Sequence, residues 1–267
     1  MSADPASPPS REAIAARLRA AGCVWAEEEA DLLISAARTP ADLSALVDRR
    51  AAGQPLEHVL GWAGFCGLRI AVDPAVFVPR RRTEFLAGQA VALARPGAVV
   101  VDLCCGTGAL GAVLAASVDQ AEVHAADIDP AAVRCARRNL AAAGGRVYQG
   151  DLFGPLPAAL RGRVGILLAN VPYVPTGEVG LLPLEAREHE ARVALDGGPD
   201  GLAVLRRVAA GAAEWLAPGG HLLSEISERQ VAAATEAATR AGLAARVTGS
   251  EEHGATVLIA TRPTARG

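Results

Sequence analysis

At 267 residues, the chain has room for one large domain, or one domain with a small appendage, and is too long for a lone mini-domain. Apolar residues make up 51% and charged residues 21%, enough to bury a core and incompatible with wholesale disorder. A net charge of −3 from 26 basic and 29 acidic side chains leaves no overall electrostatic footprint for nucleic acid or an anionic membrane surface.

In chain order, residues 1–10 are rich in Pro and Ser and are expected to fray. Ser10 then caps an amphipathic helix over Arg11 to Ala21, stopped by Gly22. Helical apolar spacing continues over Trp25 to Arg38 and Ala41 to Ala52, with Pro40 at a helix start and Gly53 at a stop. Residues 61–78 change character. Gly61, Gly64 and Gly67 punctuate aromatic and β-branched residues, which predicts a short hairpin bridging two domains. The composition break lies near residue 75, and the expected organisation is a helical domain over 1–58, a hairpin linker over 59–78 and a sheet domain over 79–267.

From Gly97 the pattern alternates strand and helix: Ala98 to Leu103, Ala109 to Ser117, Glu122 to Ala126, Ala131 to Ala143, Val147 to Gln149 and Val164 to Ala169. That predicts an α/β architecture with a parallel sheet. A helix over Leu202 to Leu216, a strand over His221 to Ile226, a helix over Glu228 to Ala241 and the strands Ala244 to Thr248 and Ala255 to Thr261 complete it. The last two are expected to pair antiparallel at an edge.

The five cysteines (Cys23, Cys66, Cys104, Cys105, Cys135) are odd in number and contain no C-x-x-C, which argues against a disulfide framework or a zinc knuckle and fits a reducing cytoplasm. The N-terminus carries no apolar signal region, and no apolar run approaches the roughly 18 residues of a membrane span. The five histidines form no metal-ligand spacing, so no metal is expected.

Two segments carry chemistry. The first is Val99-Val100-Val101-Asp102-Leu103-Cys104-Cys105-Gly106-Thr107-Gly108, a buried strand entering a glycine turn and a helix N-terminus. Gly106, Gly108 and Gly111 satisfy G-x-G-x-x-G with Asp127 downstream, which alone would admit a nicotinamide dinucleotide. Asp102 argues against it, since a carboxylate near a pyrophosphate repels it, whereas the cationic sulfonium of S-adenosylmethionine tolerates one. In that reading Gly106, Thr107 and Gly108 bring backbone close to the cofactor and Asp127 accepts both ribose hydroxyls. Asp151 accepts from the adenine amino group while Leu152 packs on the ring, and Asp129 is a helix N-cap beside Pro130.

The second segment is Asn170-Val171-Pro172-Tyr173, leaving the fourth strand at the carboxyl edge of the sheet, where open α/β folds bind ligands. With two Asn, two Tyr and 17 Pro in the chain, N-x-P-Y arises by chance about once in a thousand such sequences. Asn170 Oδ1 and the Val171 carbonyl suit the two hydrogens of a primary amide, aiming its poorly nucleophilic nitrogen at a methyl donor. Tyr173 supplies an apolar wall, and Pro172 holds Val171 extended.

These residues resemble the HemK/PrmC family of protein-(glutamine-N5) methyltransferases. The likeness runs through Arg49-Arg50-x-x-Gly53-Gln54-Pro55, Phe77-Val78-Pro79-Arg80 with Thr83-Glu84, the Asp102 to Gly108 turn, Asn170 to Tyr173, Glu188-x-Glu190 through Asp196-Gly197-Gly198-Pro199-Asp200-Gly201-Leu202, and Pro218-Gly219-Gly220 through Glu225. The resemblance implies a helical N-terminal domain that recognises the protein substrate, a hairpin linker and a class I S-adenosylmethionine-dependent (Rossmann-like) α/β fold. It assigns Asn170 and the Val171 carbonyl to the substrate amide, Asp127 and Asp151 to the cofactor, and Thr83-Glu84 to a segment closing over the methionine end. Asn170 also borders the cofactor in that scheme. The partner it implies is a protein carrying a glutamine, such as a release factor or ribosomal protein. Val171 stands where the family usually has proline, which points to a related N-V-P-Y branch, and Arg81 and Arg82 replace a proline and an acidic residue. Competing readings are methylation of adenine N6 in nucleic acid, for which the charge balance is unfavourable, and a catalytically idle cofactor binder.

Overall fold

The computed structural model of the protein describes residues 9–264, so most of the segment expected to fray lies outside the described residues. Four helices open the chain: α1 (Arg11–Ala20), α2 (Ala26–Ala36), α3 (Pro40–Ala51) and α4 (Leu56–Leu60). Ser10 caps α1 and Thr39 caps α3 ahead of Pro40, since an N-cap oxygen and a first-turn proline relieve the unpaired N–H groups of a helix start. Ile14, Leu18, Leu33, Leu43 and Val47 interdigitate into one buried cluster.

The hairpin follows as β1 (Trp62–Phe65) and β2 (Leu68–Ala71), paired Trp62 to Ala71 and Phe65 to Leu68. Its inward residues Phe65 and Ile70 are buried in the same cluster as Leu86, Val100 and Leu168 of the following body. The hairpin is thus packed into the core beside the sheet and is no loose strap. The Arg49-Arg50 segment explains how the helices are held. Arg50 pairs with Glu29 (Nε to Oε2, 2.6 Å) and with Glu185 (2.6 Å), while Arg49 donates to Gln54 Oε1 at 2.9 Å and to the His58 carbonyl at 3.0 Å.

The remaining elements are α5 (Thr83–Leu93), β3 (Val99–Leu103), α6 (Ala109–Ser117), β4 (Glu122–Asp127), α7 (Pro130–Leu140), β5 (Arg146–Gln149), β6 (Val164–Ala169), α8 (Leu184–His189), α9 (Ala203–Trp215), β7 (Leu216–Ile226), α10 (Val231–Arg240), β8 (Ala244–Ser250) and β9 (Ala255–Thr261). Seven strands form one sheet in the order β5-β4-β3-β6-β7-β9-β8, parallel except where β9 pairs antiparallel with both β7 and β8. Alternation along β3 sends Val99, Val101 and Leu103 toward a core shared with α9 and α10, and Val100 toward one shared with α5 and α6, the period of two of a pleated strand.

Two expectations need correction. β7 begins at Leu216, so Pro218-Gly219-Gly220 lies inside a strand, at the irregularity where Val164 pairs Leu216 but Ile166 pairs His221. The final strands pair antiparallel at the sheet edge as expected, with β8 outermost and β9 also paired with β7. Three helices, α4, α5 and α8, occupy stretches where periodicity predicts none. α5 (TEFLAGQAVAL) spreads small and apolar residues around its whole circumference and leaves no stripe to detect.

Candidate active site

The carboxyl ends of β3, β4 and β6 open into a cleft of about 430 Å³ lined by the glycine turn, Asp127, Asp151, Leu152, Asn170 and Tyr173. The turn after β3 is left-handed at Cys104 (φ 53°), Gly106 (φ 52°) and Gly108 (φ 75°). A Cβ at Gly108 would stand 3.1 Å from that of Ala136, so glycine there lets the first turn of α6 settle against α7. Thr107 is 2% exposed; its carbonyl accepts from Asn139 Nδ2 at 2.8 Å, and the Asn139 side chain also bonds both the N–H and the carbonyl of Ala71. One asparagine thereby ties the glycine turn to the hairpin.

Asp127 ends β4 with its carboxylate on the turn: Oδ2 accepts from Gly106 N and Oδ1 from Asp129 N, each at 2.9 Å. Burial raises its pKa above the ordinary carboxylate range, opposed by these two N–H donors. Each oxygen keeps lone-pair capacity for a further donor. Asp129 caps α7 by accepting from Ala131 N at 2.8 Å, next to Pro130 at the first helical position. Asp151 is exposed and paired with Arg207, a partner the sequence reading did not supply. Leu152 beside it is left-handed (φ 48°) and buried.

Asp102 lies on the Val100 face of β3, 1% exposed, and its Oδ2 accepts from Gly111 N in α6 at 3.1 Å. Desolvation pushes its pKa up to about 7. Burial thus favours the protonated form of Asp102, where its residue type alone suggests an ordinary anion. A carboxyl protonated up to about 7 when folded but only to about 3.9 when unfolded lowers folding stability as pH rises between those values. Asp102→Asn keeps an acceptor toward Gly111. We expect it to flatten that slope and exceed wild-type stability at pH 8 by on the order of 2 kcal/mol. Urea unfolding at pH 5 and pH 8 checks this, and a parallel pH response of both proteins would contradict it.

Asn170 follows β6, and its Oδ1 is buried with no hydrogen-bond partner among the described residues. Val171 is 2% exposed. Tyr173 is fixed at both ends. Gln230 Nε2 donates to its carbonyl at 2.9 Å, and its hydroxyl donates to Glu225 Oε1 at 2.9 Å while accepting from Arg82 Nη2. Burial, then the neighbouring Glu225, raises the Tyr173 phenol above its usual pKa.

Thr83 and Glu84 form the first turn of α5, and Thr83 lines the cleft. Thr83 Oγ1 donates to Glu225 Oε2 at 2.7 Å and Glu84 Oε1 accepts from Cys66 N at 3.0 Å. Across the mouth, Arg80 donates to both oxygens of Glu190 at 2.6 Å, and Glu190 also accepts from Val78 N.

Sequence reasoning assigned no role to Arg82, Glu225 or Gln230, or to the glycines of 197–201, although a lone Glu closing the apolar strand β7 was a usable signal. The segment Leu195 to Leu202 backs the Asn170 loop through backbone bonds: Val174 N to Leu195 O (3.2 Å), Gly197 N to Val174 O (2.8 Å) and Thr176 N to Gly198 O (2.9 Å). Among the described residues no cluster of three or more His, Cys, Asp or Glu suits a metal ion, and no helix is long and apolar enough to cross a membrane.

Comparison with known proteins finds methyltransferases. The profile of the methyltransferase small domain matches residues 69–184. A release factor glutamine methyltransferase of Geobacter sulfurreducens is 37% identical over 80% of this chain and 76% of its own length. A 4-amino-L-phenylalanine/4-methylamino-L-phenylalanine methyltransferase of Streptomyces pristinaespiralis is 40% identical over 70% of this chain and 65% of its own. The crystal structure of a methyltransferase from Pyrococcus furiosus superposes with a TM-score of 0.56 over 74% of this chain and 90% of that one, at 18% identity, a likeness of fold.

Proposed function

The chain belongs to the release factor glutamine methyltransferase family of S-adenosylmethionine-dependent enzymes, and on that premise we propose that it methylates the side-chain amide nitrogen of a glutamine in a protein. The observation that carries the reading is Asn170 Oδ1. A buried acceptor left unpaired costs about 1–3 kcal/mol, and this one lies at the end of β6 in a cleft where an amide N–H donor would satisfy it.

The residues present fit the cofactor. Asp127 has spare lone pairs for the ribose hydroxyls, the turn at Gly106 and Gly108 brings backbone to the cleft, and Leu152 supports the adenine ring. When bound, S-adenosylmethionine supplies an electrophilic methyl group on a sulfonium. Asn170 Oδ1 and the Val171 carbonyl accept the two hydrogens of the acceptor amide, which orients its nitrogen and raises its electron density. Tyr173 closes the apolar side. No strong base is needed, because the nitrogen's proton becomes acidic only as the nitrogen gains positive charge, and water can take it.

Asp127→Asn retains one oxygen toward Gly106 but loses the charge and one ribose acceptor. We expect cofactor affinity to fall about tenfold, some 1–2 kcal/mol, read by calorimetry with S-adenosylmethionine; unchanged affinity would remove Asp127 from the ribose site.

Within the family we assign the chain to the N-V-P-Y branch on the basis of Val171. We infer that residues 1–58 recognise the protein substrate, a release factor before a ribosomal protein, in the cytoplasm and without direct nucleic-acid contact. The deciding experiment incubates the enzyme and labelled S-adenosylmethionine with a bacterial lysate and a purified release factor, followed by mass spectrometry of labelled proteins. A glutamine carrying one added methyl supports the reading; label on adenine or on a free aromatic amine overturns it.

A further inference from the structure

Glu225 closes β7 with a carboxyl 3% exposed, and three donors converge on it: Arg82 Nε at 2.8 Å, Thr83 Oγ1 at 2.7 Å and the Tyr173 hydroxyl at 2.9 Å. Three donors and no acceptor suit the acceptor-only carboxylate. Arg82 reaches further, donating Nη2 to the Tyr173 hydroxyl, with its guanidinium carbon 5.7 Å from the Tyr173 ring centroid. Arg82 and Tyr173 together wall the cofactor cleft on one side and a larger open groove of about 1190 Å³ on the other. Arg81, next in sequence, is exposed, and its side chain makes no hydrogen bond or ion pair with the described residues. Of the two arginines flagged in the sequence, only Arg82 enters the site.

We propose that Arg82 is a positioning residue which, with Glu225, fixes the Tyr173 wall and makes the acceptor end select a neutral amide nitrogen over a protonated amine. The inference rests on the reading of Asn170 to Tyr173 as the loop that holds the acceptor. The planar guanidinium spans the carboxylate and the phenol at once, a fork that a lysine ammonium cannot reproduce. Electrically, Arg82 and Glu225 cancel, as Arg80 and Glu190 do across the mouth. A balanced wall offers an ammonium no compensation for leaving water, while a primary amide loses little. Without Arg82 the buried Glu225 is left as an excess negative charge that attracts a cationic acceptor; without the Glu225 charge, Arg82 is left to repel one.

The test compares the intact enzyme with its Arg82→Ala, Arg82→Lys and Glu225→Gln variants, each saturated with S-adenosylhomocysteine. The probes are a bacterial release factor and the same factor with its methylated glutamine changed to lysine, with affinities measured by calorimetry. Wild type is expected to bind the glutamine form at least tenfold more tightly. Arg82→Ala should shrink that preference at least fivefold and Glu225→Gln should widen it, two shifts of opposite sign that a loss of packing would not produce. On the glutamine form, Arg82→Ala should lower kcat more than it raises KM, with partial rescue by Arg82→Lys. An equal preference in wild type, Arg82→Ala and Glu225→Gln overturns the proposal.

If wild type does not methylate the release factor, the substrate reading fails on that result alone, and Arg82 is judged separately. With 13C-labelled tyrosine in a Tyr148→Phe background, Arg82→Ala must shift the remaining Tyr173 ring signal and Arg82→Lys must move it part of the way back. An unmoved signal overturns the positioning role.

Discussion

Asn170→Ala is expected to lower turnover about a hundredfold, some 3 kcal/mol, while leaving cofactor affinity close to wild type. The asymmetry follows from where the oxygen sits. Asn170 Oδ1 is buried with no hydrogen-bond partner among the described residues, so it makes no bond there that holds the fold together, whereas the turn that approaches the cofactor is fixed by Asp127 and Asn139. Its hydrogen bond to the acceptor strengthens as the amide nitrogen becomes cationic, so the loss falls on the transition state more than on binding. Steady-state kinetics on the glutamine acceptor, paired with calorimetry on S-adenosylmethionine, separates the two. Wild-type turnover in Asn170→Ala would end the amide-clamp mechanism and reopen the adenine and idle-binder readings. Val171→Pro is the companion variant. Pro172 already restricts Val171 to extended backbone, and the accepting carbonyl is retained in the variant.

Gly201→Ala is expected to lower turnover at least a hundredfold and to destabilise the protein by about 2–3 kcal/mol, although residue 201 contributes no side chain to the cleft. Gly201 has φ 75°, and a Cβ there would lie 2.1 Å from the Tyr173 carbonyl oxygen and 2.4 Å from Gln230 Nε2. The left-handed conformation alone costs an alanine about 1 kcal/mol. The larger effect comes from the collision, which must push the Asn170 to Tyr173 loop off the Leu195 to Leu202 segment or break the bonds from Gln230 to Tyr173 and to the Asp200 carbonyl at 3.1 Å. A shift of about 1 Å in an orienting loop is enough for a hundredfold loss. Denaturant unfolding and kcat read the two effects, and a variant with wild-type turnover would show that this loop tolerates displacement.

The elements legible in the sequence were those encoded within a few residues. Helix starts at Ser10, Pro40 and Asp129-Pro130 were readable because capping is local chemistry. The alternating strands and helices after Gly97 were readable from periodicity. The glycine turn after Leu103 and the Asn170 loop after Ala169 were readable because a strand end fixes both their place and their exposure. Where the signal was uniform, as in the all-apolar α5, or where irregular pairing let β7 run through Pro218-Gly219-Gly220, local pattern misplaced or missed the element.

By itself, then, the sequence determined the α/β order, the glycine turn and the amide-accepting loop, all set by residues adjacent in the chain. Only the tertiary structure decided what stands around them. Glu225 meets Tyr173 52 positions away, Thr83 142 away and Arg82 143 away, and Arg50 meets Glu185 135 away. Asp151 finds Arg207, and Gly201 presses on Tyr173. Such contacts depend on strand order, register and the path of long connections, which bring together side chains whose spacing in the sequence carries no mark of their partner. Burial in the assembled core likewise sets protonation, as it does for Asp102, whose type and position alone would make it an ordinary carboxylate.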